Sequence, residues 1–258
     1  MVFILSYRFA EKENKMKGTY RIADKIIEID SIYKDVHDYC RDYICEGKPD
    51  IIIKTTEADI ESDRQKAEKF AIAKGLPLIK WPDAYLEEVF IYRSIAEKMP
   101  EYDTFMFHSS AVAVDGAAYL FTANNGTGKS THTRLWREYL GERAVMINDD
   151  RPLIRVKNDG ITVFGAPCCG KHKIGNNIAV PLKAICILGR AEENTIQRIT
   201  RSEAFAMLFK QCYHPEDGAA LEKTKALIEK TADRVSLWRL GCNMDISAAE
   251  LAYNAMKE

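Results

Sequence analysis

An excess of charge of either sign is lacking in this chain of 258 residues: 37 Lys and Arg stand against 38 Asp and Glu, a formal net charge of −1. The strong basic field that draws a protein to nucleic acid or anionic lipid is therefore lacking. Long apolar runs are lacking too. The stretch 2–5 is too short for the core of a signal peptide, and no other run is long enough to span a bilayer. None of the seven cysteines (40, 45, 168, 169, 186, 212 and 242) falls in a Cys-x-x-Cys pair. The adjacent Cys168 and Cys169 suit neither a zinc knuckle nor an easy disulfide, so reduced thiols are expected. Internal repeats and low-complexity tracts are absent. These absences predict a soluble, cytoplasmic protein without a nucleic-acid or membrane partner, recognising something small or a local feature of a larger partner. A homo-oligomer stays open.

What is present is ordinary globular composition, 47% hydrophobic and 29% charged, at a length that holds one large domain or a core with an appendage. Residues 1–82 read as a small α/β unit without a motif. Two β-like runs, 25–29 and 50–54, flank a mixed stretch containing Tyr33, Val36, Tyr39 and Ile44. A helix over 61–74 is expected to bury Ala67, Phe70, Ala71 and Lys74, and Gly75 and Pro77 end it. Residues 83–258 form the larger domain, opening on a helix that runs up to Pro100. Two strands, 106–114 and 117–122, meet at the hairpin pair Asp115-Gly116. After a glycine-containing loop come a helix over 130–140 closed by Gly141, a buried strand over 144–148, and a hairpin of 152–156 with 161–164. An irregular loop, 165–177, leads to a strand over 184–188. A helix capped by Ser202, a helix over 221–232, a strand over 235–240 and a terminal helix finish the chain.

The informative centre is the loop Ala123-Asn124-Asn125-Gly126-Thr127-Gly128-Lys129-Ser130-Thr131, placed between a strand and a helix. Backbone N–H groups of such a loop point inward as an anion nest, and the helix N-terminus adds partial positive charge. In that setting Lys129 reaches the β- and γ-phosphates of a nucleotide, and Ser130 is placed to ligate Mg²⁺. The usual pattern starts with glycine six positions before the lysine, where this chain has Ala123; Gly126 and Gly128 are intact. Downstream, the apolar strand over 144–148 runs into Asp149-Asp150. Carboxylates at a strand end beside a phosphate loop can hold Mg²⁺ and take a proton from an attacking hydroxyl. His108 precedes the hairpin that leads into the loop.

The three stretches Phe107-His108-Ser109-Ser110-Ala111-Val112, Gly126-Thr127-Gly128-Lys129-Ser130 and Asn148-Asp149-Asp150-Arg151 resemble, in order and spacing, the core shared by HPr kinase/phosphorylase and ATP-dependent phosphoenolpyruvate carboxykinase. The resemblance covers about residues 105–156. It implies an α/β fold of that P-loop type, a mixed sheet with flanking helices, beside the small N-terminal unit. It also implies ATP with Mg²⁺ or Mn²⁺ as cofactors, phosphates held by Asn124, Asn125, Gly126, Thr127, Gly128, Lys129, Ser130 and Thr131, and metal held by Ser130, Asp150 and Asp149. By the same resemblance Asp149 is the base for the acceptor hydroxyl, Asp150 belongs to the metal shell, and His108 lies near the metal or γ-phosphate; the two aspartate roles are exchangeable.

Two departures bear on the activity. The chain lacks the large amino-terminal domain of the carboxykinases, and it lacks the Glu-x-Arg-Gly-x-Gly stretch of true HPr kinases. In that region stands Gly165-Ala166-Pro167-Cys168-Cys169-Gly170-Lys171-His172-Lys173-Ile174-Gly175-Asn176-Asn177. Here Lys171, after Gly170, is expected to lend charge to a transferring phosphoryl group, with His172 a weaker candidate. The chain looks like the divergent HPr-kinase-related proteins of bacteria, some of which phosphorylate serine in ribosomally made peptides. The expected activity is ATP-dependent phosphotransfer to a hydroxyl of a peptide, protein or small molecule. A carboxykinase-like reaction and a nucleotide-binding regulator without chemistry are the alternatives.

Overall fold

The computed structural model describes residues 16–170 and 172–258, and the chain divides into two compact units, one through Ile95 and one over Ala96–Glu258. In the first, β1 (Met16–Ile22) and β2 (Lys25–Ser31) form an antiparallel hairpin. Its two-residue turn, Ala23 and Asp24, has φ of 47° and 57°, the left-handed pair that matches strand twist. A short helix, α1 (Asp35–Cys40), follows, and β3 (Ile51–Lys54) then pairs parallel to β2. Helix α2 (Glu57–Ala73) starts at a capping box, Thr56 with Asp59. Its expected apolar stripe is corrected: Ile60 and Asp63 are the buried positions, while Phe70 is 59% exposed and Lys74 is also exposed. Asp63 is held by Arg93 at 2.5 Å, and that ion pair turns the 60–63–67–71 face inward and Phe70 outward.

Helix α3 (Asp83–Lys98) straddles the division between units, which therefore falls inside it rather than at 82. Its first half serves the first unit, where Glu87 accepts the N–H groups of Ile32 at 2.6 Å and Tyr33 at 2.8 Å. Its last turn serves the second, where Glu97 accepts the Tyr213 hydroxyl at 2.7 Å.

The second unit is a mixed α/β structure around a nine-stranded sheet with flanking helices. The expected strand over 106–114 is instead two: β4 (Thr104–Met106) and β5 (Ser110–Val114). Between them three backbone donors leave the ladder, Phe107 for Pro152, His108 for Gln211 and Ser109 for Asp150. Asp115 and Gly116, at φ of 51° and 79°, turn β5 into β6 (Ala117–Thr122). Helix α4 (Lys129–Leu140) then crosses to β7 (Ala144–Asn148), which pairs antiparallel with β5. The hairpin β8 (Leu153–Val156) and β9 (Ile161–Phe164) joins β4 to the first residues of β10 (Ala179–Arg190). After an irregularity between Leu182 and Ala184, β10 continues parallel to β6. It also pairs parallel with β12 (Ser236–Cys242), whose other neighbour is β11 (Thr195–Arg198). Helices α5 (Arg201–Gln211), α6 (Gly218–Arg234) and α7 (Ile246–Met256) complete the unit. The α5 cap is Thr200 and not Ser202: Thr200 and Glu203 close a capping box.

One apolar cluster, with Phe107, Leu120, Ile185 and Leu208, packs α5 and α6 on the sheet, and a second, with Phe121, Trp136, Leu240 and Met256, packs α4 and α7. Among the described residues no helix is long and apolar enough to cross a membrane.

Candidate functional site

Because β6 and β7 both run antiparallel to β5, both end at the edge where β5 begins. That register, Ser110 opposite Phe121 and Ala111 opposite Asn148, gathers the three stretches singled out in the sequence. The loop after β6 carries Gly126 at φ +76° and Gly128 at φ +124°, conformations that side-chain-bearing residues rarely adopt. Asn124, Asn125 and Gly126 are exposed, Thr127 and Gly128 half-buried. Lys129 opens α4 and is 9% exposed, its ammonium donating to the Ala123 carbonyl at 3.2 Å. Ala123 itself is fully buried in the Phe121–Trp136 cluster, so its methyl group is packed rather than projecting into the loop. Burial lowers the Lys129 pKa, against the opposing pull of the Asp150 and Asp149 charges. Ser130 and Thr131 follow in the first turn, half-buried.

Two further cations grip this loop. Lys210 donates to the Asn124 side chain at 2.9 Å, and Arg190, at the end of β10, donates to the Gly126 carbonyl at 2.5 Å. Neither was marked in the sequence, since each lies more than sixty residues from its partner, at separations of 86 and 64.

Asp149 is 8% exposed, and its Oδ1 accepts the Ser110 hydroxyl at 2.7 Å. Asp150 lies beside it, with Oδ1 3.5 Å from His108 Nε2 and Oδ2 accepting from Arg151 Nε at 3.2 Å. Asn148, wholly buried, fixes the turn that carries both: its Oδ1 accepts the N–H groups of Asp150 at 2.8 Å and Arg151 at 2.7 Å. Its Nδ2 donates to the carbonyls of Ala166 at 2.9 Å and Cys168 at 3.0 Å. His108 sits in the break between β4 and β5, not within a strand as expected, because its N–H bonds Gln211. Its Nδ1 meets the Gln211 side chain at 2.8 Å, which leaves Nε2 toward Asp150. Burial first, then the Lys129 charge, lowers its pKa, with Asp150 opposing.

The 165–177 loop lies along the outer edge of β7: Asp149 N–H donates to Ile174 at 3.1 Å and Asn176 N–H to Ile147 at 3.1 Å. It is thus tied to the aspartate turn and not a free surface turn. Lys171 lies outside the described residues, and His172 is exposed. The Cys168 thiol is pushed up to about 12 by burial. Among the described residues no group of three His, Cys, Asp or Glu side chains could hold a metal alone.

Fold and site define a mixed α/β protein with a glycine loop, a buried lysine and a carboxylate pair at one sheet edge. The chain belongs to the family described as SynChlorMet cassette protein ScmC, whose model matches residues 85–228. No curated protein matches it. Among solved structures it is similar to the Hpr(Ser) kinase/phosphatase from Coxiella burnetii, at 9% identity and a TM-score of 0.35, over 58% of this chain and 95% of that one.

Proposed function

We propose that the protein is an ATP- and Mg²⁺-dependent kinase that transfers the γ-phosphoryl group to a hydroxyl of a peptide, protein or small molecule. The observation that carries the reading is the convergence of Lys129, at the start of a helix behind two glycines of positive φ, with buried Asp149 and with Asp150. A loop of that conformation offers backbone N–H groups to phosphate, and Lys129 supplies the cation between them. Ser130 and Asp150 would hold Mg²⁺, which when bound offsets the charge on the β- and γ-phosphates.

Asp149 takes the proton of the acceptor hydroxyl as its oxygen meets phosphorus, a base role that needs a fixed carboxylate. His108 borders the same carboxylate pair and adds a polar wall on the phosphate side. Lys171 keeps its proposed role of lending charge to the moving phosphoryl group.

The test is calorimetry and turnover. Lys129→Ala is expected to abolish Mg·ATP binding, and chelation by EDTA to stop phosphotransfer until Mg²⁺ or Mn²⁺ is returned. Unchanged Mg·ATP affinity in the Lys129 variant would remove the phosphate-loop assignment, and turnover that survives chelation would remove the metal.

A further inference from the structure

Ser110, the first residue of β5, is wholly buried, and its hydroxyl is the group that donates to Asp149 Oδ1. A hydroxyl has one proton, so Ser110 must accept at its second contact. That contact is Thr133 Oγ1, 2.8 Å away on α4, 1% exposed and four residues after Lys129. The other acceptors within reach of Thr133, the carbonyls of Lys129 and Ser130, lie farther off at 3.4 and 3.3 Å. The order of protons is therefore Thr133 to Ser110 to Asp149. One end of this chain stands on the helix that opens with the lysine and the other on the carboxylate. Among the described residues no hydrogen bond engages the second oxygen of Asp149, Oδ2.

We infer that Ser110 is a positioning residue for phosphotransfer: with Thr133 ordering its proton, it pins Oδ1 of Asp149 and presents Oδ2 to the acceptor. This rests on the kinase reading above. In the step it serves, the acceptor oxygen bonds the γ-phosphorus as the bond from phosphorus to the β–γ bridging oxygen breaks. ADP leaves with that electron pair, and the acceptor proton passes to Oδ2. An unpinned carboxylate turns about its own side-chain bond, and a base displaced by a fraction of an ångström costs rate without costing nucleotide affinity.

The experiment follows ADP formation from Mg·ATP with water as acceptor, and Mg·ATP affinity by calorimetry, in wild type and five variants. Ser110→Ala is expected to lower kcat roughly 10- to 100-fold while Kd stays within about 2-fold, the signature of lost orientation. Ser110→Ala combined with Asp149→Asn should be no slower than Asp149→Asn alone, since the serine acts through the aspartate. Thr133→Ser, which keeps the hydroxyl, should match wild type, whereas Thr133→Val should slow turnover several-fold. A Ser110→Ala enzyme of wild-type rate, losses that multiply in the double variant, or a fall in nucleotide affinity equal to the fall in rate would each overturn the inference. If Ser110→Ala does not fold, equal rates in the two Thr133 variants overturn it instead. A wild type that neither binds Mg·ATP nor forms ADP removes the kinase reading and this inference with it; a wild type that forms ADP beside an indifferent Ser110→Ala removes the inference alone.

Discussion

Gly170 and Asp150 meet where there is no room for a methyl group. A Cβ at position 170 would lie 2.9 Å from Asp150 Cβ, and the residue sits at φ +70°. Either fact argues for glycine; together they make Gly170 the contact through which the 165–177 loop bears on the carboxylate pair. Gly170→Ala is expected to cost roughly 1 to 2 kcal/mol from backbone strain alone. It should also weaken Mg·ATP binding by displacing Asp150. Urea unfolding and calorimetry check both parts, and an alanine variant as stable and as tight as wild type would mean the loop yields freely. What could be read in the sequence at this scale was local: the loop of Gly126, Gly128 and Lys129 stands within four positions, as does Asp149-Asp150. Ser110 and Asn148 lay inside the stretches that carried the resemblance, yet their roles come from bonds spanning 39 and 18 residues, which sheet register decides. Gln211, bonded to His108 across 103 residues, gave no local signal.

Among the elements, α4 carries most of the consequences. Its outer turn bears Lys129 and Ser130, and its inner face bears His132, 2% exposed. There Trp136 Nε1 donates to His132 Nε2 at 3.1 Å, and the Phe121 ring stands edge-on at 4.6 Å. Burial lowers the His132 pKa from 6.5 to about 4. The unfolded chain then binds the proton more readily than the folded one between those two values, so stability must fall as pH drops through that window. From about pH 7 to about pH 5 the loss attributable to this ring is about 2 kcal/mol, with more lost as pH nears the folded value. His132→Gln should flatten the pH dependence of urea unfolding by that amount, and an unaltered slope would show that the ring is hydrated in the folded state. Element reading from sequence followed the strength of local chemistry. The Asp115-Gly116 hairpin and the Gly141 helix end were legible because each needs positive φ. Strands β1 and β11 were missed; β11 is mostly exposed and carries no apolar alternation. The break between β4 and β5 was illegible because distant acceptors, Pro152, Gln211 and Asp150, create it.

At the scale of the whole chain, the division at Ile95 shows how punctuation misleads. Trp81-Pro82-Asp83 marks a helix start, and a helix start was read as a domain start, but α3 belongs to the first unit for its first three turns. That unit has buried apolar residues of its own, among them Ile27, Ile29, Val36 and Ile91, and a cluster of Ile32, Ile60 and Leu86 with Tyr33 and Trp81 against it, and it has buried carboxylates. One of these is Asp63, 4% exposed, held by Arg93 at 2.5 Å within the same unit. Removing the cation leaves a carboxylate in an apolar setting, which is the costly way to break an ion pair, whereas removing both charges together is often neutral. Arg93→Met is therefore expected to destabilise the first unit by about 3 kcal/mol, and Arg93→Met with Asp63→Leu to recover most of it. Scanning calorimetry reads the first effect as a transition moved to lower temperature. The residues proposed to hold the nucleotide all lie in the second unit, so Mg·ATP affinity of Arg93→Met should remain that of wild type at temperatures below this transition. A variant that loses affinity while still folded would show that the first unit takes part in holding the nucleotide, and the assignment of the site to residues of the second unit alone would have to be given up.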